Sequence, residues 1–231
     1  MRDDICTIPI SEVFEPKDGC PICRMRNTIE SRMVEYILGA AMMEPDVRIK
    51  TNELGFCKDH LEMMMKGKNR LSLALILETH LDSVKNELFK KSFIKPSAKK
   101  TAYKAARIEE TCFVCDRIQW GMERLIATTL RMYANESDFR RLFKDQECLC
   151  LPHYRLLMEE ASNSMDKKRL SDFSADCNNL AEKYLSELTV DVNKFTKMFD
   201  YRNAGGETDE FDRAKDSIER AFAFLTSRGE M

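Results

Sequence analysis

One cysteine and histidine pattern occurs twice along the 231-residue chain and constrains its fold more than any other feature. Each copy has the form C-x2-C followed by C-x2-H, with 33 residues between the two pairs in the first copy and 34 in the second. The first copy comprises Cys20, Cys23, Cys57 and His60, and the second comprises Cys112, Cys115, Cys150 and His153. The near-equal spacing indicates an internal duplication, and each copy supplies enough ligands for one tetrahedral metal site.

The residue types in this pattern favour zinc. Thiolate and imidazole ligands suit zinc, whereas carboxylate-rich sets suit calcium or magnesium. Two sulfurs of a C-x2-C pair can point at one ion, and the two side chains of C-x2-H lie on one face of a helical turn. We therefore predict two Zn²⁺ ions, each held by the four ligands of one copy. The residue types leave an iron–sulfur cluster open as the alternative.

Apolar residues recur at intervals of three and four through most of the chain, which predicts an all-α fold. Each copy is expected to begin with a helix after its C-x2-C pair and to contain a longer helix after its C-x2-H pair. The longer helices have narrow apolar stripes and therefore need partner helices. The stripe residues are Ala74, Leu77, Leu81, Val84 and Leu88 in the first copy and Leu170, Phe173, Cys177, Leu180 and Tyr184 in the second.

The duplication also sets the expected domain organisation. It predicts a first zinc-helical repeat over residues 1–95 and a second over residues 96–231, packed as one compact unit. The second repeat includes a C-terminal helix after Gly205-Gly206. The predicted inner face of that helix consists of Phe211, Ala214, Ile218, Ala221, Phe222 and Leu225.

Net charge and hydropathy indicate which partners and which cellular compartment to expect. The net charge of −2 gives no general attraction to nucleic acid or to an anionic membrane. The charged N-terminus lacks the apolar core of a signal peptide, and no apolar run reaches the length of a membrane span. We therefore expect a cytoplasmic protein without a membrane partner. In that reducing compartment, metal binding explains nine cysteines better than disulfides do.

The segment 85–107 is locally basic and suggests nucleic-acid binding as an alternative function. Phe89, Phe93 and Tyr103 are available there to stack on bases. The favoured interpretation is a solvated linker between the two repeats. The basic residues are Lys85, Lys90, Lys91, Lys95, Lys99, Lys100, Lys104 and Arg107.

The number of protein ligands at each site limits the chemistry that a bound zinc ion can perform. Four protein ligands leave no open coordination position on a zinc ion, so both ions are expected to be structural. The sequence contains no P-loop, dinucleotide-binding turn or serine elbow, and only carboxylate chemistry in a helical groove stays open as an enzymatic alternative. We predict a non-catalytic interaction or regulatory protein with a protein partner.

A thiol/zinc redox sensor is the second functional hypothesis. Cys148 precedes Cys150 by two residues and could act as a resolving thiol when the second site is oxidised. The alignment of the two copies places Cys150, and not Cys148, opposite Cys57. We therefore keep Cys150 as the predicted ligand.

Three further segments accompany the doubled pattern. They are GFCKDH at 55–60, NRLSLAL at 69–75 and FDYRN at 199–203. Together with the Cys/His pattern they resemble an uncharacterised bacterial family known only as a domain of unknown function. The resemblance covers nearly the whole chain and implies a bacterial origin and the double-site architecture, but no activity.

Overall fold

The protein was analysed as a computed structural model, which describes residues 10–89, 97–198 and 213–228. All regular secondary structure in these ranges is helical, which confirms the all-α prediction. The helices are α1 (Ile10–Phe14), α2 (Pro21–Leu38), α3 (Pro45–Leu54), α4 (Lys58–Lys66), α5 (Arg70–Phe89), α6 (Ala98–Glu110), α7 (Phe113–Asn135), α8 (Ser137–Lys144), α9 (Leu151–Ser164), α10 (Lys167–Met198) and α11 (Ser217–Thr226). A 3₁₀ turn over Ala40–Met43 lies between α2 and α3. Within the described ranges, no helix combines the length and the hydropathy that a membrane span requires.

The same order of helices occurs in both halves of the sequence. A helix that begins in the C-x2-C pair (α2 or α7) is followed by a short helix (α3 or α8), a C-x2-H helix (α4 or α9) and a long helix (α5 or α10). The connection between the C-x2-C helix and the C-x2-H pair thus contains a helix of its own in both halves. Pro45 begins α3 at a position where its missing N–H costs no hydrogen bond.

The chain divides into two compact units that are not the contiguous sequence repeats. Unit 1 contains residues 27–122, and unit 2 combines 8–26 with 123–231, as far as these residues are described. Both divisions fall inside helices, α2 and α7. The start of the first repeat thus belongs to the same unit as most of the second repeat.

In unit 1, the long helix α5 packs against α3, α4 and α6. Its buried residues are Ser72, Leu73 and Ile76. The predicted stripe is wrong at Ala74 and Leu81, which are both exposed. Nearly every residue in the first two turns of α5 is apolar, so periodicity could not select the face that α3 covers.

In unit 2, an aromatic cluster forms much of the core. The short helix α8 has Phe139 and Phe143 four residues apart on one side, and both are buried. The Phe143 ring centroid lies 5.9 Å from that of Phe14, 5.3 Å from that of Tyr133 and 5.4 Å from that of Phe173. These separations are typical of favourable aromatic pairs. The contacts between the rings link α1, α7, α8 and α10.

The predicted stripe of α10 is confirmed from Phe173 to Tyr184, whereas its first member, Leu170, is only half-buried. Phe173, Cys177, Leu180 and Tyr184 are buried, and Leu188 continues the stripe one turn further. Helices α9 and α11 pack against α10.

The predicted inner face of the C-terminal helix is right at Ala214, which is buried just before α11 begins, but wrong at three positions within α11. Ile218, Phe222 and Leu225 are each more than half exposed, whereas Phe224 is buried. Phe211 lies outside the described residues. The Phe224 ring stacks on Tyr184 with a centroid separation of 5.7 Å.

An ion pair gives the physical reason for this rotation of α11. Arg220 Nη2 lies 3.0 Å from Oδ2 of the buried Asp191 on α10. An uncompensated buried carboxylate would be costly, so the pair turns Arg220 toward α10. The Ile218, Phe222 and Leu225 face is thereby turned to solvent.

Two phenylalanines on α11 provide a matched test of this orientation. Phe224→Ala removes a buried ring and should lower the free energy of unfolding by about 3 kcal/mol. Phe222→Ala removes a ring that is 53% exposed and should change it by less than about 1 kcal/mol. Urea denaturation of both variants measures the difference, and a larger loss for Phe222→Ala would contradict the orientation.

Candidate metal sites

The eight predicted ligands form two clusters of three cysteines and one histidine. Site A contains Cys20, Cys23, Cys150 and His153, and site B contains Cys57, His60, Cys112 and Cys115. Within each cluster the potential ligand atoms lie within 4.8 Å of one another, so each cluster could hold a metal ion. Site A lies in unit 2 and site B in unit 1.

The predicted grouping of the ligands is therefore wrong, because each C-x2-C pair meets the C-x2-H pair of the other copy. Helix length gives the reason. At 1.5 Å per residue, the 18 residues of α2 separate its ends by about 27 Å and the 23 residues of α7 by about 34 Å. Each helix thus leads the chain away from its own C-x2-C thiols before the C-x2-H pair of the same copy is reached.

All four ligand pairs lie at helix N-termini. The first cysteine of each pair directly precedes its helix, and the second ligand lies in the first turn. Helices α2 and α7 thus begin two residues before the second cysteine, whereas the sequence suggested that they start after it. The N-termini of α2 and α9 meet at site A, and those of α4 and α7 meet at site B. The positive ends of two helix dipoles therefore lie at each group of thiols and favour thiolate formation.

Hydrogen bonds between two loops bring the halves of site A together. The backbone N–H of Gly19 donates to Oε2 of Glu147 at 2.6 Å. The side-chain amide of the buried Gln146 donates to the carbonyl of Phe14 at 2.7 Å. Gly19 has a φ of 68°, a conformation that glycine adopts readily. The chain preceding Cys20 is thereby fixed against the chain preceding Cys150.

The ligand atoms of site A surround a common centre. His153 Nδ1 lies 3.1 Å from the sulfur of Cys150, 3.2 Å from that of Cys23 and 3.7 Å from that of Cys20. The Cys23 and Cys150 sulfurs are 3.6 Å apart, which is well beyond a disulfide bond length. All four residues are buried.

The thiols of site A cannot all ionise without a bound cation. Burial raises the pKa of Cys20, but hydrogen bonds from Cys150, Cys23 and His153 outweigh it and lower that pKa overall. Hydrogen bonds with Cys150 and Cys20, together with burial, raise the pKa of Cys23. The pKa of Cys150 is raised to about 12, chiefly by its hydrogen bond with Cys20. One ionised sulfur thus opposes ionisation of its neighbours.

A backbone contact positions the two halves of site B. The N–H of Phe113, directly after Cys112, donates to the carbonyl of Gly55 at 2.9 Å. Gly55 has a φ of 59°, and a Cβ there would lie 2.7 Å from Nε2 of His80. The His80 ring is itself held by a 3.1 Å hydrogen bond from Nδ1 to the carbonyl of Asn52. Only glycine fits this position without displacing the ring or straining the backbone.

The ligand atoms of site B have a similar arrangement. His60 Nδ1 lies 3.1 Å from the sulfur of Cys57, 3.3 Å from that of Cys112 and 3.5 Å from that of Cys115. The Cys57 and Cys115 sulfurs are 3.9 Å apart. Cys112 and His60 are buried, Cys57 is half-buried and Cys115 is exposed, so this site differs from site A in its access to solvent.

Sequence reasoning did not identify Glu30, which contacts the far side of the site B histidine. Its Oε1 lies 2.9 Å from Nε2 of His60. A carboxylate in this position fixes the imidazole with Nδ1 toward the sulfurs. No comparable carboxylate contacts His153 within the described part of the chain. Glu30 is one of two acidic residues on α2, and no local motif distinguishes it from Glu35.

The electrostatics of site B also require positive charge. Burial lowers the pKa of His60, but hydrogen bonds with Cys112 and Glu30 and the nearby thiolate charges raise it overall to about 10. Burial likewise opposes ionisation of Cys112, yet the His60 contact and backbone N–H groups lower its pKa to about 6. Burial and the charge of Cys112 raise the pKa of Cys115 to about 12.

Cys148 lies outside both clusters among the described residues. It is fully buried, and burial together with the charges of Cys20 and Glu147 raises the pKa of its thiol. The structure thus places Cys150, and not Cys148, in site A.

Part of the basic segment has structural contacts. Lys104 donates to the carbonyl of Glu87 at 2.9 Å, and Arg107 pairs with the Glu87 carboxylate at 2.7 Å. Phe89 and Tyr103 are both more than 70% exposed. Lys90, Lys91, Phe93 and Lys95 lie outside the described residues.

Gly55→Ala should weaken site B without affecting site A. The new methyl group meets the His80 ring and the backbone strain is unfavourable, so the expected destabilisation is about 1–3 kcal/mol. In protein loaded with metal, we expect the variant to lose metal from site B more readily than from site A during dialysis against a chelator, as measured by elemental analysis. Site A is the internal control, and an equal loss from both sites would contradict this role of Gly55.

Comparison with known proteins gives a family without an activity. A model of a family of unknown function (DUF6062) matches residues 1–231. No curated protein and no solved structure matches the chain.

Proposed function

The chain belongs to this family of unknown function, and from its two clusters we propose that it is a zinc-binding, non-catalytic helical protein. Cys20, Cys23, Cys150 and His153 hold one Zn²⁺ ion, and a second is held by the four residues of site B. The protein acts in the cytoplasm as an interaction or regulatory module with a protein partner.

The spacing of the ligand atoms is the observation that carries this proposal. Zn–S bonds of about 2.3 Å and Zn–N bonds of about 2.0 Å place tetrahedral ligand atoms roughly 3.5–3.8 Å apart. The Cys23–Cys150 and Cys57–Cys115 sulfur–sulfur distances of 3.6 and 3.9 Å agree with that value, and the other sulfurs of each cluster lie within 4.8 Å of these. The sulfur–nitrogen distances of 3.1–3.7 Å need only small adjustments. An ion therefore fits each cluster with little movement of the protein.

Charge supports the same conclusion. Each cluster contains one thiol whose pKa is lowered, Cys20 or Cys112, beside at least one thiol whose pKa is raised, because burial and a neighbouring negative charge both oppose ionisation. A divalent cation at the centre relieves this repulsion and allows all three sulfurs to ionise. Metal binding and folding should therefore be coupled in each unit.

The non-catalytic assignment depends on ligand number. Three sulfurs and one imidazole complete a tetrahedral shell, so no position is left for the water that a hydrolytic zinc requires. Such closed sites stabilise a fold. We infer that function depends on the surfaces that the two zinc units hold in place.

The burial of each cysteine changes which one is the better candidate for a redox-sensing thiol. The sequence suggested Cys148 beside site A as a resolving thiol, but its complete burial disfavours reaction with an aqueous oxidant. The exposed Cys115 of site B is the better candidate for such chemistry.

The contacts of Lys104 and Arg107 with Glu87 support a structural role for that part of the basic segment.

Double variants test the zinc sites and their grouping together. Wild-type protein purified under reducing conditions should contain two zinc ions per chain by elemental analysis. Cys23→Ser with Cys150→Ser alters site A alone and should retain one ion. Cys23→Ser with Cys57→Ser alters both sites and should retain none.

The two outcomes are reversed if each copy of the sequence pattern binds its own ion. One ion in the Cys23/Cys57 double variant and none in the Cys23/Cys150 double variant would therefore overturn the grouping. Iron, or no metal in the wild type, would overturn the zinc proposal itself.

A further inference from the structure

We infer that the two metal ions have different roles: site B exchanges its ion with soluble thiol or chelating ligands through Cys115, whereas site A releases its ion only slowly, after local unfolding. This inference rests on the proposed zinc binding and adds a function to one of the sites. The acceptor or donor is a small molecule with soft or chelating donor atoms that can approach the protein surface.

Access to the ion is the first argument. A four-coordinate zinc exchanges ligands by accepting an incoming donor before or as another ligand leaves, and zinc expands readily to five ligands. In site A, Cys20 is 3% exposed, Cys23 7%, Cys150 0% and His153 6%, so a donor in solution cannot reach the ion without local unfolding. In site B the exposed Cys115 provides direct access.

The identity of the leaving ligand is the second argument. Cys112 is buried and accepts hydrogen bonds from the backbone N–H groups of Cys115 and Cys57. His60 is held by Glu30 at 2.9 Å from the side opposite the ion. Cys115 has its side chain at the surface and can rotate away with the least disturbance of the core. It is therefore the ligand that an incoming donor displaces first.

Cys57 is the next ligand to leave. It is half-buried and precedes α4, so its side chain lies nearer the surface than those of His60 and Cys112. The remaining pair, His60 and Cys112, stays in place through the contacts described above. The order of release is thus Cys115, then Cys57, then the buried pair.

The exchange involves no oxidation or reduction. An incoming thiolate or chelator donor forms a bond to Zn²⁺ as the Zn–S bond of Cys115 breaks. The released Cys115 thiolate takes a proton from water, and the remaining ligands are replaced in the same way. Zinc leaves as the chelate, and the reverse sequence loads the site.

Zinc release to a chromogenic chelator tests the inference. Wild-type protein loaded with two zinc ions is mixed with excess 4-(2-pyridylazo)resorcinol, and the absorbance of the zinc complex is followed over time. Release should occur in two resolved phases of equal amplitude, one fast and one slow. Cys150→Ser should keep the fast phase and lack the slow one, and Cys115→Ser should keep only the slow one.

A pair of acidic residues on α2 provides a control that leaves all ligands in place. Glu30→Gln removes the charge behind His60 and should accelerate the fast phase by roughly 10- to 100-fold. Glu35 is an exposed residue on the same helix, and Glu35→Gln should leave both phases unchanged. The slow phase should be the same in the wild type and in both variants.

Alkylation of the wild-type protein gives a second readout that needs no variant. When zinc-loaded protein is treated with N-ethylmaleimide and mapped by mass spectrometry, the first of the described cysteines to be modified should be Cys115 and the second Cys57. The site A cysteines and the buried Cys148 and Cys177 should react only after unfolding. Addition of free zinc during the reaction should slow modification of Cys115, because the bound ion competes for its thiolate.

The outcomes separate this inference from the zinc proposal. A stoichiometry below two before the chelator is added contradicts the zinc proposal. Two bound ions released in a single phase, or a fast phase that survives in Cys115→Ser, would overturn the inference while leaving the zinc proposal intact. First modification at a site A cysteine would also overturn it.

Discussion

The structure depends on the convergence of paired helix N-termini on two groups of thiols, one fully buried and one partly exposed. At each cluster, two helices place three sulfurs and an imidazole within 4.8 Å, with the positive ends of both helix dipoles nearby. The same concentration of thiols opposes its own ionisation, as the raised pKa values of Cys23 and Cys115 show. A cation resolves this conflict, so the packing of each unit and the proposed metal chemistry are parts of one interaction.

Site A and site B have the same ligands but different surroundings. Site A lies between two loops joined by the Gly19 and Gln146 hydrogen bonds and is buried at every ligand. At site B, Glu30 fixes the histidine while Cys115 is exposed. Two sites with one ligand set can therefore differ in how readily they exchange an ion, because solvent access and the contacts of each ligand control release.

The sequence predicted the buried face of a helix correctly where only one face of that helix is apolar. The apolar stripe of α10 has polar residues between its members, so Phe173, Cys177 and Leu180 could face only one way. It failed where two faces were equally apolar. The first turns of α5 are apolar on nearly all sides, and α11 could have buried either Phe222 or Phe224. Contacts with α3 and the Asp191–Arg220 pair selected the face in these helices.

The sequence by itself determined the all-helical class and the eight residues that form the two clusters, because ligand type and spacing are local properties of the chain. Only the tertiary structure decided which C-x2-C pair meets which C-x2-H pair. That choice depends on where α2 and α7 lead the chain, about 27 and 34 Å along their axes, and on contacts between residues distant in sequence. The position of Glu30 and the exposure of Cys115 were decided in the same way, because each follows from packing and has no local signature.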